Sequence, residues 1–168
     1  EQENQRIHQF GQDEEYKGMG TTLEALAIID NQAIYAHIGD SRISLIRGEE
    51  YSQLTSDHSL VNALLKAGQI TQEEAERHPQ KNIITQSIGQ KDEVQPDYGM
   101  ITLEDGDYLL LNSDGLTNMI SDSEICDIVT SDISLSEKTE TLIRFANNAG
   151  GLDNITVALV RFDKEEQE

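Results

Sequence analysis

At 168 residues the chain is long enough for one domain with a sizeable core, and 36 % hydrophobic against 26 % charged residues suits a folded rather than a disordered chain. A formal net charge of −20 sets it against nucleic-acid phosphate and anionic membrane, and against any anionic substrate unless bound cations invert the local potential. A single cysteine, Cys126, excludes an internal disulfide, no Cys/His cluster has zinc spacing, and no apolar run approaches membrane-spanning length, so a cytoplasmic setting is expected.

Residues 1–16 are rich in Glu and Gln, with Ile7 and Phe10 three apart, and suit the end of an amphipathic helix. They begin without an initiator methionine and read as mid-helix, so the chain is expected to be a fragment of a longer protein. Gly18-Met19-Gly20 breaks the helical pattern before an apolar β run, Leu23–Ile29. Asn31-Gln32 is a turn into a second strand, Ala33–Ile38, and Arg42–Arg47 is a third, closed by Gly48-Glu49. Short turns between neighbouring strands indicate an antiparallel meander. From Asp57 the period changes: Leu60, Val61, Leu64 and Leu65 mark a helix ended by Gly68, and Thr71 to Glu74 is a capping box for another, ended by Pro79. Ile83–Ile88 and Tyr98–Leu103 read as short strands, and Asp107–Asn112 as the most apolar strand. A second capping box, Ser121 to Glu124, starts a helix through Val129. Leu135–Ala149 is a long helix with Leu142, Ile143 and Phe145 inward, Ile155–Phe162 a final strand, and Asp163–Glu168 a frayed acidic tail. This is one α+β domain over 1–162.

Three phrases place an aspartate beside a β run: Gly39-Asp40-Ser41-Arg42, Ser113-Asp114-Gly115 and Asp153-Asn154-Ile155. Gathered along one sheet edge, like charges oppose each other's ionisation unless a cation joins them, so a divalent metal site is the economical reading. Each phrase alone is more often a turn. Asp40 with Arg42 as a local ion-pair partner needs no metal. His58 reads as a residue that fixes its loop by hydrogen bonding, His37 as a satisfied structural histidine, Arg42 and Arg47 as pairing residues, and Cys126 as a buried inert thiol.

Taken together, Gly18-Met19-Gly20-Thr21-Thr22, Gly39-Asp40-Ser41-Arg42, the 54–59 phrase Leu-Thr-Ser-Asp-His-Ser, the 113–118 phrase Ser-Asp-Gly-Leu-Thr-Asn and Asp153-Asn154-Ile155-Thr156-Val157 resemble, in order and spacing, the metal-dependent serine/threonine protein phosphatases of type 2C. The segment from Leu60 to Gly89 resembles the bacterial branch. The resemblance covers about Gly18 to Phe162. It implies an αββα sandwich, with two antiparallel sheets flanked by helices. It also implies hydrolysis of phosphoserine and phosphothreonine in proteins, with two Mn²⁺ or Mg²⁺ ions activating a bridging water. Asp114 and Asp153 match ligands of the metal pair, and Asp40 matches the ligand of a third, weaker metal, with Asp114 shared. Residues 60–85 match a flap beside the site that bears on substrate choice. Implied partners are phosphorylated proteins and an opposing bacterial serine/threonine kinase with its substrates, with neither nucleic acid nor membrane; no oligomeric state follows.

The family's earlier motifs, with the phosphate-binding arginine, the bridging aspartate and the histidine proposed as general acid, are not in this sequence. No catalytic residue is therefore assigned in the chain, and the chain by itself is expected to have little activity and exposed strand edges. Two alternatives stand beside the enzyme: a non-catalytic, phosphatase-like binding or regulatory module, and an acidic calcium-binding module, for which no EF-hand loop is present.

Overall fold

The computed structural model describes residues 1–164. In chain order the elements are α1 (Gln2–Phe10), a 3₁₀ turn (Glu14–Tyr16), β1 (Leu23–Ile29), β2 (Gln32–Ile38), β3 (Arg42–Arg47), β4 (Glu50–Gln53), α2 (Leu60–Lys66), α3 (Gln72–Glu76), β5 (Asp97–Thr102), β6 (Tyr108–Asn112), α4 (Asp114–Thr117), α5 (Asp122–Thr130), α6 (Leu135–Asn148) and β7 (Val157–Arg161). They form an α+β fold with two antiparallel sheets, ordered β1-β2-β5 and β4-β3-β6-β7, and flanking helices. The chain divides into two compact units. The first comprises Glu1–Ala25, Ala36–Asp40 and Ser56–Tyr98; the second comprises Leu26–Tyr35, Ser41–Thr55 and the chain from Gly99 onward.

In the second unit β6 is the central strand, paired with β3 on one side and β7 on the other. Its run Tyr108-Leu109-Leu110-Leu111 is continuously apolar because both faces are covered. Leu110 packs in a cluster with Ile46, Ile125, Val129, Leu142 and Ala146, on the side of α5 and α6. Leu109 points the other way, into a cluster with Ala33 and Leu103 against which Leu26, Leu45, Ile101 and Val160 also pack. Within this unit the layers are therefore helix, four-stranded sheet, and the ends of the three-stranded sheet.

Register between β3 and β6 is pinned by a charge clamp. Arg47 Nε and Nη2 donate to Asp107 Oδ1 and Oδ2 at 2.8 and 2.7 Å, Nη1 donates to Glu104 at 2.7 Å, and Nη2 also reaches the Thr102 carbonyl at 3.0 Å. The Asp107 side chain is 1 % exposed. Burial alone would raise its carboxyl; the Arg47 hydrogen bonds, the Glu104 N–H and the Arg47 charge outweigh burial and hold it below the ordinary carboxylate value. Arg47 is thus a structural pairing residue, as its sequence context suggests. Cys126 is buried, and burial followed by the charges of Asp127 and Glu49 pushes its thiol up, which makes it inert.

Several elements differ from expectation. Ile83–Ile88 is not a strand: its backbone serves partners in separate places, with isolated bridges Ser59–Ile84 and Thr21–Ile88, so no ladder forms. The polar edge strand β4 and the short α4 carry too little apolar signal to stand out in sequence. The first hairpin turns at Asp30-Asn31, with Asp30 left-handed at φ 53°. On α6 the buried stripe is Lys138, Leu142 and Ala146, each four apart, and Phe145 lies off it, 44 % exposed. On α1 the anchor is Asn4, which donates to the Lys91 and Asp92 carbonyls at 2.9 and 2.8 Å and accepts the Gly89 N–H at 2.8 Å, while Phe10 is exposed. The capping boxes at Thr71 and Ser121 form, as does a third at Ser134. Of the expected acidic tail, residues 165–168 lie outside the described residues.

Asp107→Asn is expected to cost about 2 kcal/mol, the scale of a hydrogen bond to a charged group, or a fall of ~4–8 °C in Tm. Because the folded carboxyl is depressed, its contribution is present above the unfolded pKa and lost as pH falls through the folded value. Melts over a pH series should show the gap between parent and variant closing in acid; a gap of constant size would contradict the clamp.

Candidate metal centre

The end of β6 and the loop before β7 are stitched together by Ser113. Its N–H donates to the Thr156 carbonyl at 3.1 Å, its hydroxyl donates to the Asn154 carbonyl at 3.0 Å, and it accepts the Thr156 N–H at 3.0 Å. This seam brings residues 153–156 beside residues 113–115. Gly115 completes it. The sequence suggests a glycine needed for a sharp turn, but Gly115 has no positive φ; it opens α4, and a Cβ there would press into the Asn154 carbonyl. The requirement is close approach of two backbones, not an unusual dihedral.

Asp114 thus emerges from the sheet edge beside Asp153. Burial is the largest influence on its carboxyl and raises it above the ordinary value; the charge of Asp153 raises it further. The Gly115 N–H, the positive charge of Arg42 and the Asn118 side chain, which donates to Oδ2 at 3.1 Å, offset this only partly. Asp153 Oδ1 accepts the Asn154 N–H at 2.7 Å, which fixes its carboxylate over its own turn. A half-buried carboxylate within reach of the charge of a second one, both with oxygen donors, suits a hard divalent cation, which would offset the repulsion.

Asp40 belongs to the first unit, on the half-buried turn after β2. Among the described residues no group of three His, Cys, Asp or Glu side chains is arranged to hold a metal ion, so what the structure brings together is the pair Asp114 and Asp153. His58 fixes its loop through hydrogen bonds to Gly39, Gln86 and Asp97, as expected. His37 is only half satisfied: Nδ1 meets Glu24 Oε1 at 3.2 Å, and the buried Nε2 has no hydrogen-bond partner among the described residues. The charge of Arg42 acts on Asp114. Ser113, Asn118 and Gly115 support the pair, and their only trace in sequence is spacing: an N-cap serine before Asp114, and an amide four residues after it.

The two-sheet α+β fold carries a carboxylate pair at the end of its central strand, and comparison with known proteins gives the class. The family model for protein phosphatase 2C matches residues 1–159, and the chain belongs to this family of metal-dependent serine/threonine protein phosphatases. It is 82 % identical over 166 residues to the protein phosphatase PhpP of Streptococcus pneumoniae serotype 2, covering 99 % of this chain and 68 % of that protein. The serine/threonine phosphatase stp of Listeria welshimeri is 45 % identical over 158 residues, covering 94 % of this chain and 63 % of that protein. Among solved structures, the serine/threonine phosphatase of S. agalactiae superposes with a TM-score of 0.92 at 60 % identity, covering 95 % of this chain and 66 % of that one. The catalytic domain of the phosphatase PstP in complex with two manganese ions superposes at 0.82 with 36 % identity, covering 94 % and 65 %.

Gly115→Ala is expected to push the Asn154 carbonyl away and separate the two carboxylates. Calorimetric titration of the full-length protein should then show Mn²⁺ binding weakened by roughly 10–100-fold, the usual cost of disturbing the support of a metal ligand. Unaltered affinity would show that this close approach does not set the pair.

Proposed function

We propose that this protein hydrolyses phosphoserine and phosphothreonine in other proteins, in the bacterial cytoplasm and in opposition to a serine/threonine kinase. Asp114 and Asp153 hold the divalent metal pair, Mn²⁺ or Mg²⁺, and Asp40 is a ligand of a third ion. The observation that carries this reading is the half-buried Asp114 at the end of β6, stitched by Ser113 and Gly115 to the loop that bears Asp153, in a chain of the protein phosphatase 2C family. The manganese complex of a relative with 36 % identity supports the choice of metal.

When bound, such ions supply an activated water nucleophile and neutralise charge on the phosphoryl group. The chain's own residues provide the frame. Ser113 and Gly115 hold the two carboxylates together, Asn118 orients Asp114 through Oδ2, and Asn154 orients Asp153 through Oδ1. Arg42 tempers the negative charge at Asp114, so the carboxylate stays available as a ligand. In a chain of net charge −20, only such bound cations make a dianionic phosphate welcome. The 60–85 segment is the surface on which substrate proteins are selected.

The full-length protein should release phosphate from a phosphothreonine peptide when Mn²⁺ is present and stop in excess chelator. Asp114→Ala should lower kcat/KM by more than about 100-fold, beyond the loss from outer-shell changes. Hydrolysis that persists in chelator would overturn the metal mechanism. Tight binding of phosphopeptide with no turnover in any divalent metal would favour the non-catalytic module instead.

A further inference from the structure

Within the first unit one imidazole gathers three stretches of chain. Nδ1 of His58 lies 3.2 Å from the Gly39 backbone nitrogen and 3.1 Å from Nε2 of Gln86, and its own Nε2 lies 3.1 Å from Oδ2 of Asp97. The backbone adds two bonds: His58 N–H donates to the Gly39 carbonyl, and the Thr85 N–H donates to the His58 carbonyl, both at 2.7 Å. Ser59 and Ile84 form a bridge alongside. Both ends of the 60–85 segment therefore meet the Gly39 turn at this residue.

The partners decide which ring nitrogen carries the proton. A backbone N–H can only donate, so Gly39 demands a lone pair at Nδ1. The Gln86 amide is oriented independently: Oε1 accepts the Gln95 N–H at 3.2 Å, and Nε2 donates to the Gln95 carbonyl at 2.7 Å. Its Nε2 is consequently a second donor aimed at Nδ1. The ring proton belongs on Nε2, where the Asp97 carboxylate accepts it. An imidazolium would set an N–H against both donors.

Charged and titratable groups lie beside the ring or next to it and its partners in sequence. His37 of β2 stands with its ring centroid 4.8 Å away and tilted by 42°, and Glu24 Oε1 of β1 accepts a hydrogen bond from His37 Nδ1. Asp97 lies at the start of β5, Asp57 precedes His58 on its own loop, and Asp40 follows Gly39. Asp97 favours a charged ring at Nε2, but it cannot restore the two bonds lost at Nδ1.

We propose that His58 is a proton-sensitive anchor: its neutral, Nε2-protonated imidazole ties both ends of the 60–85 segment to the Gly39 turn, and one proton taken from solvent onto Nδ1 releases Gly39 and Gln86. No covalent bond changes. The inference does not depend on phosphatase activity, because it is read from the segment rather than from turnover.

In the full-length protein, ring ¹⁵N shifts of His58 report its tautomer and titration, and amide exchange, corrected for intrinsic pH dependence, reports opening of the segment. The expected result is the Nε2–H tautomer at neutral pH and a loss of protection of about tenfold or more at Gly39 and across 60–85 as His58 becomes charged. His58→Asn retains an acceptor, Oδ1, at the position of Nδ1 and does not titrate; it should keep the protection and lose the pH step. Gln86→Met removes one of the two donors and should shrink the step, which keeps the test open if the first variant does not fold. An Nδ1–H tautomer, protection indifferent to the charge on His58, or a step of full size in either variant would overturn the proposal.

Discussion

The second unit is organised by the burial of β6 on both faces. A strand covered by helices on one side and by a second sheet on the other has no freedom to slip, because a shift of one residue would exchange Leu109 with Leu110 and place each in the wrong cluster. The Arg47–Asp107 clamp closes the same register from the strand's leading end. Everything at its trailing end inherits that precision. Ser113 and Asp114 lie where they do because four apolar residues before them have only one way to pack.

The candidate centre shows how little of a metal site needs to be charged. Two carboxylates are brought together against their mutual repulsion, and the restraint comes from a serine hydroxyl, a missing side chain at Gly115 and two amide donors. The proximity of the pair is thereby set by the fold itself. In the first unit the same economy recurs at His58, where a single ring joins segments far apart in sequence through neutral hydrogen bonds.

Much of this was legible in the residues. Strands β1, β3 and β6 and the capped helices follow from apolar period, turn chemistry and the S/T-x-x-E pattern, and the aspartates stand out because each sits beside an apolar run. Elements went unread where the local signal was poor or misleading. β4 is polar and takes its strand conformation from pairing with β3. Ile83–Ile88 is apolar enough for a strand, yet its hydrogen bonds go to scattered partners. Phe145 is hydrophobic and faces outward, because the stripe of α6 that meets the sheet is set by neighbours that the helix's own sequence does not name.

By itself the sequence determined the class of the protein: an α+β chain, poor in cations, with its carboxylates placed at strand ends in the pattern of a metal-dependent phosphatase. Such features are local, and each can be read within a few residues of the group concerned. Only the tertiary structure decided that the charge of Asp153 acts on Asp114, that Gly115 is required by the Asn154 carbonyl rather than by a turn, and that His58 must offer a lone pair at Nδ1. These depend on distances between segments tens of residues apart, which no local pattern encodes.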